Sequence, residues 1–243
     1  MHRAGTPLRP YHIATVVVAL VSAANLTACT LGTSTDSTGL AAAAPTAFTL
    51  ASGGLQSGTV AAPLASPVVL KLTDQFGFAS KGVMVTFTMS SSSGSVSPAS
   101  SITDSTGSAS TTWTLGTLVG TDTLVASVSG LGPVTVLAIA HAGTPATLVL
   151  VSGAGQSATA GTTLAPIVLK VADQYGNPVP NVSVNWSSDG NGTFAAASEV
   201  SDAFGIVQNI YTLAPAPGRQ NIVASVVTTS NAVLTSTLFV TGT

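Results

Sequence analysis

A nine-residue segment occurs twice in this chain, about one hundred residues apart, and this internal repeat limits the folds that the chain can adopt. The two copies are Val69–Gly77 (VLKLTDQFG) and Val168–Gly176 (VLKVADQYG). Similar residues flank both copies in the same order. Each copy is the size of one domain. We therefore predict two domains, at residues 45–143 and 144–243.

Both copies contain short runs in which apolar and polar residues alternate, as in a β-strand with one buried face. Val83, Val85 and Phe87 alternate with Met84, Thr86 and Thr88, and Val182, Val184 and Trp186 repeat the pattern in the second copy. Gly, Pro, Asn and Asp separate the runs. About seven runs per copy predict an all-β fold of two tandem immunoglobulin-like β-sandwiches. Neither can contain a disulfide, because the one cysteine lies outside both copies. The predicted central aromatic residues are Phe87, Trp113, Trp186 and Tyr211.

The composition argues against disorder and against nucleic-acid binding. Hydrophobic residues make up 45% of the chain and charged residues only 6%, whereas disordered chains show the reverse balance. The formal net charge of −2 leaves no cluster of Lys and Arg for phosphate groups. We expect no nucleic-acid partner.

The N-terminal region has the features of an export signal. Arg3 and Arg9 precede an apolar run at residues 13–24, which is short for a membrane anchor. The run is followed by Leu26-Thr-Ala-Cys29, which resembles the lipobox of bacterial lipoproteins. That resemblance implies that residues 1–28 are a signal peptide and that Cys29 is lipidated and attaches the protein to a membrane. The alternative is an ordinary secretory leader with an incidental thiol.

Residues 29–44 are rich in Ser, Thr, Gly and Ala, a composition that predicts a flexible linker. Thr30 follows the cysteine in place of the aspartate that is associated with retention at the inner membrane. We therefore expect an exported protein, anchored at the outer membrane or cell surface.

The acidic residues fit turn-capping positions better than they fit a metal-binding or catalytic site. Asp74 and Asp173 each precede a glycine by three residues, as in a turn that the carboxylate caps. Calcium needs six to eight oxygen ligands, and few other acids lie nearby in sequence. We expect no metal, no cofactor and no catalytic residue. The sequence does not decide whether calcium binds at the interdomain junction. His141 is the one histidine outside the leader, so the residues for an active site are also scarce.

Several motifs in the same order resemble the bacterial Ig-like domains of the invasin and intimin type. They are Asp-Gln-Phe/Tyr-Gly, a Val-x-Val-x-aromatic strand, and in the first copy the segments Thr103–Gly107, Thr112–Leu115 and Gly120–Ala126. The resemblance covers nearly all of residues 45–241. It implies an adhesive or structural role at the cell surface, with a protein or glycan ligand that the sequence does not identify.

Two other functions fit the sequence. An extracellular polysaccharide-binding module would use aromatic residues in turns, and Phe76, Phe78 and Tyr175 are the candidate contact residues. A passive periplasmic spacer would need no ligand. Edge strands with so few charges are poorly protected against pairing with another chain, so weak self-association is a further alternative.

Overall fold

A computed structural model describes residues 43–90 and 94–243 of the chain, and their regular secondary structure is entirely β. The predicted signal peptide, Cys29 and most of the predicted linker lie outside the described residues. None of the described residues forms a helix with the length and hydropathy needed to cross a membrane.

The described residues of the first sandwich form nine strands. In chain order they are β1 (Pro45–Ser52), β2 (Gln56–Thr59), β3 (Val68–Asp74), β4 (Met84–Met89), β5 (Ser95–Ser97), β6 (Ser100–Ile102), β7 (Ser108–Thr114), β8 (Gly120–Ser127) and β9 (Val134–His141). One sheet has the order β1-β3-β7-β5 and the other β2-β9-β8-β4-β6. The pairings are antiparallel, except that β2 runs parallel to β9.

The second sandwich repeats this arrangement with ten strands. They are β10 (Thr147–Ser152), β11 (Ser157–Ala158), β12 (Ile167–Ala172), β13 (Ser183–Ser188), β14 (Thr193–Phe194), β15 (Ser198–Val200), β16 (Ile206–Asn209), β17 (Tyr211–Thr212), β18 (Gly218–Val227) and β19 (Val233–Gly242). Their sheets have the orders β10-β12-β16, β14-β17 and β11-β19-β18-β13-β15. The predicted fold class, tandem all-β sandwiches, is confirmed.

Each sandwich has its own apolar core between its two sheets, and the predicted alternation of side chains is the reason. On β4, Val85 and Phe87 are buried while Thr86 and Thr88 are exposed; on β13, Val184 and Trp186 are buried. The four predicted aromatic residues all lie in the cores. Phe194, which the prediction missed, packs between Trp186 and Tyr211 at ring-centroid distances of 5.8 and 4.7 Å.

The sequence predicted seven strands per copy, and the structure adds short ones. The strands β2, β6, β11 and β15 have two to four residues each, too few to show an alternating pattern. One of the seven runs of the second copy, at residues 206–212, is divided into β16 and β17. At the break, Asn209 Oδ1 accepts the backbone N–H of Ile210 at 2.8 Å, and Asn209 Nδ2 donates to Ala196 O at 2.7 Å.

Candidate functional site

Four turns in the described part of the chain share one carboxylate-capped geometry. They begin at Asp74, Asp104, Asp173 and Asp202, and in each the aspartate Oδ1 accepts the backbone N–H groups of the second and fourth residues that follow, at 2.8 to 3.0 Å. The predicted capping role of Asp74 and Asp173 is confirmed. Gly77 and Gly176, three residues after these aspartates, both have a positive φ of 83°, which glycine adopts without strain.

Asp173 makes further hydrogen bonds because its turn lies at the junction between the sandwiches. Its Oδ2 accepts the backbone N–H of Gly143, in the segment that links the sandwiches, at 2.9 Å. The same oxygen accepts a hydrogen bond from Asn177 Nδ2, also at 2.9 Å. Asp173 is buried. A carboxylate removed from water in this way needs such donors to offset its desolvation.

Asn177 connects the two sandwiches directly. Its Nδ2 donates to Thr117 O at 2.8 Å, and its Oδ1 accepts the backbone N–H of Val119 at 3.1 Å. Both partners belong to the loop between β7 and β8 of the first sandwich. The start of that loop is held by Asp122, whose Oδ2 accepts the N–H of Gly116 at 2.7 Å. The junction is therefore a hydrogen-bonded contact between sandwiches.

The pKa of Asp173 reflects two opposing effects. Burial is the largest single effect and raises the pKa. The hydrogen bonds from the Asn177 side chain and from the backbone N–H groups of Gly143, Asn177 and Tyr175 together outweigh it and hold the pKa below the usual 3.8. Asp173 is therefore a charged structural group at neutral pH, with its oxygens occupied by protein donors.

The equivalent turn of the first sandwich, which begins at Asp74, is exposed to solvent. Phe78 occupies the position of Asn177 and is 70% exposed, whereas Asn177 is 4% exposed. Phe76 occupies the position of Tyr175 and is also 70% exposed. Both rings lie at the N-terminal end of the sandwich, where Pro45 at the start of β1 pairs with Asp74 at the end of β3.

The three aromatic residues predicted to contact sugar do not form one surface. Phe76 and Phe78 share a turn at the N-terminal end of the first sandwich. Tyr175 belongs to the second sandwich and lies beside the link, at the opposite end of the first sandwich. Tyr175 is 40% exposed and lines a shallow cleft with Thr59 and Gly143, among other residues. A single sugar-stacking platform made from all three is therefore not present.

Two glutamines make a repeated polar contact that sequence analysis missed. Gln56 Nε2 donates to Gly53 O and Ser66 O, each at 2.9 Å, and Gln56 Oε1 accepts the Ser66 N–H. Gln156 makes the equivalent three bonds in the second sandwich. The signal that could have revealed them is the glutamine three residues after Gly53 and Gly153 in both copies. Within residues 43–90 and 94–243, no three His, Cys, Asp or Glu side chains are grouped to hold a metal ion.

Comparison with known proteins gives structural similarities only. No family model and no curated protein matches this chain. Similar solved structures include the Escherichia coli adhesin FdeC (19% identity, TM-score 0.49, covering 84% of this chain and 68% of FdeC). Another is invasin, a bacterial integrin-binding protein, at 22% identity and a TM-score of 0.40, covering 82% of this chain and 39% of the invasin chain. A third is the D0-D1 domain of intimin, at 17% identity and a TM-score of 0.32, covering 81% of this chain and 98% of the intimin chain.

These structures include the invasin and intimin group that the sequence motifs resemble. With identities below 25% and TM-scores below 0.5, the similarities say nothing about the ligand or activity of this chain.

Proposed function

We propose that this protein is a lipid-anchored bacterial surface protein in which two Ig-like domains, residues 45–143 and 144–243, act as a stalk or adhesive module. The observation that carries the proposal is the junction at Asn177 and Asp173. A side chain that hydrogen-bonds the preceding sandwich, and a carboxylate that holds the link, restrict bending between the sandwiches. A stiff tandem can project its far end away from an anchor, as a stalk must.

The anchor in this proposal is a lipid on Cys29. Support comes from the apolar run and the Leu26–Cys29 motif at the cysteine, together with the low charge of the chain. Several acyl chains bind a membrane firmly, whereas one alone binds only marginally. We place the anchored protein at the outer membrane or cell surface.

The proposed role is to hold and present, and it involves no catalysis. The junction carboxylate is already committed to donors from the protein itself. Contact with a protein or glycan ligand would be made by exposed loops or by sheet edges, as in other β-sandwich binding modules.

The anchor is tested by replacing Cys29 with alanine and fractionating the cells. Most of the wild-type protein should sediment with membranes and extract into detergent, and Cys29→Ala should move to the soluble fraction. A serine variant at Thr30, Thr30→Ser, keeps the cysteine and should behave as the wild type. Equal membrane association of Cys29→Ala and the wild type would refute the lipid anchor.

Surface exposure is tested separately, by adding protease to intact cells. Cleavage of the second sandwich before the cells are lysed supports a surface module. Full protection until the outer membrane is opened would instead support a periplasmic spacer, and it would refute the adhesive function.

A further inference from the structure

The N-terminal end of the first sandwich exposes a surface that is covered in the second. In the second sandwich, Asn177 bonds the preceding loop at Thr117 and Val119 and is 4% exposed. In the first, Phe78 holds that position with 70% of its surface exposed, and Phe76 is equally exposed. Two large aromatic rings on one turn thus present apolar surface to solvent, and exposed apolar surface of this kind can form a contact surface.

The protein holds the two rings outward on a fixed backbone. Asp74 Oδ1 accepts the N–H groups of Phe76 and Phe78 at 2.8 and 3.0 Å, and Asp74 N donates to Phe78 O at 2.9 Å. Gly77 between them has a φ of 83°, which lets the turn close. The exposure of the rings is thus a consequence of an ordered turn.

The position of this turn along the chain indicates what covers it. Pro45 pairs with Asp74, so the chain enters the sandwich beside the two phenylalanines. Fifteen residues separate Cys29 from Pro45. Even with this segment fully extended, Cys29 and Pro45 are at most about 58 Å apart. A lipid on Cys29 would therefore keep this end of the sandwich within reach of the bilayer at a high effective concentration.

We propose that Phe76 and Phe78 insert into the interfacial region of the membrane and dock the first sandwich on the lipid surface. This inference rests on the lipid anchor of the proposed function. Apolar side chains at the headgroup boundary contribute to such binding through the apolar area they bury. Docking would set the orientation of the two sandwiches relative to the membrane.

The charges at this end of the sandwich indicate an apolar contact. Lys71 and Lys81 lie three residues before and three residues after the turn Asp74–Phe78, whereas Asp74 and Asp104 both begin turns at this end. Attraction to anionic lipids requires a cluster of Lys and Arg, which these residues do not supply. Docking should therefore be similar on neutral and on anionic vesicles.

A second copy of the chain is a weaker occupant. The contact between the sandwiches depends on the Asn177 amide, which donates to one backbone group and accepts from another. Phe78 has no polar atoms in its side chain to repeat those bonds. A copy stacked on this end could therefore not be held by hydrogen bonds like those that Asn177 makes at the junction.

Tryptophan fluorescence can test the proposal in full-length lipidated protein on vesicles of phosphatidylcholine brominated near the headgroup. Phe76→Trp places the reporter at the proposed contact. Phe204→Trp is the matched control, because Phe204 is 73% exposed and follows Asp202 by two residues in the same kind of turn. The native Trp113 and Trp186 are buried and give a constant background.

We expect the bromolipid to quench Phe76→Trp at least about twofold more strongly than Phe204→Trp, with a blue-shifted emission for the former. Vesicle flotation is measured on the same samples. If both variants float but are quenched equally, the docking proposal is wrong and the anchor stands; if neither floats, the anchor itself has failed. A blue shift that depends on protein concentration and shows no lipid quenching would assign the patch to a second copy, and it would also overturn the proposal.

Discussion

At the residue scale, the difference between Asn177 and Phe78 separates the two copies of one turn. The aspartate that caps the turn is present in both, and its two backbone hydrogen bonds are the same. The fourth residue after the aspartate is the exposed Phe78 in the first copy and the buried Asn177 in the second. A buried amide at this position has partners from the preceding loop, whereas a phenylalanine is left on the surface. The residue at this position is thus polar where the turn meets the preceding sandwich and apolar where the turn is exposed.

Asp173 should make the stability of the second sandwich depend on pH. Its pKa is lowered in the folded protein, so its contribution is fully present above the usual value of 3.8 and is lost as the pH falls through the lower folded value. We expect Asp173→Asn to cost about 1–3 kcal/mol at pH 7, and less at pH 3 and below. Urea unfolding of both proteins over this pH range measures the effect. A cost that is the same at pH 7 and at pH 3 would contradict this prediction.

At the element scale, turns that look alike in sequence differ in how tightly they pack. Gly176 and Gly205 both close an aspartate turn in the second sandwich with a positive φ, of 83° and 71°. A Cβ on Gly176 would meet nothing within 4 Å, whereas one on Gly205 would lie 2.4 Å from Val171 O. The second turn packs against the backbone of β12, and only glycine fits there.

These two glycines provide a matched pair of substitutions. Gly176→Ala should cost about 1–2 kcal/mol, because alanine is strained at positive φ and meets no other obstacle. Gly205→Ala adds a collision with a backbone carbonyl, so its cost should be clearly larger. The free energies of unfolding in urea give the comparison. Equal costs for the two variants would mean that the contact with Val171 relaxes freely.

Local sequence patterns predicted the longer strands but not the short ones. Alternation over six or more residues predicted β3, β4, β7 and their counterparts, because side-chain direction in a strand follows from local geometry. It could not find β2 or β11, which are short and pair in parallel with β9 and β19 near the far end of each repeat. Those strands form because a distant partner is already in place.

At the scale of the whole molecule, the junction determines how the tandem behaves. Its contacts join the loop after β7 to a turn about sixty residues further along the chain. The counterpart of that loop in the second sandwich, Ala214-Pro-Ala-Pro217, has a different sequence. Two of the differences between the copies, at this loop and at the turn that holds Phe78 or Asn177, thus lie at the ends of the sandwiches, where their surroundings differ.

Hydrogen exchange of the full chain can test whether Asn177 holds this junction. In Asn177→Ala the N–H of Val119 loses its acceptor, so its exchange should accelerate by about tenfold or more, corresponding to roughly 1.4 kcal/mol of local protection. The N–H of Gly116 is an internal control, because Asp122 accepts it within the first sandwich. Unchanged exchange at Val119, or equal acceleration at Gly116, would contradict a junction held by Asn177.

The sequence by itself determined the β class, the division into two copies, the capped turns and the aromatic residues of the cores. Each of these follows from local periodicity, or from a side chain that bonds its own backbone a few residues away. Tertiary structure alone decided that Asn177 meets Thr117 and Val119, that the Gly143 link is bound to Asp173, and that Tyr175 lies far from Phe76. The physical reason is that these contacts join residues 30 to 60 positions apart, and packing of complete sandwiches is what brings such residues together.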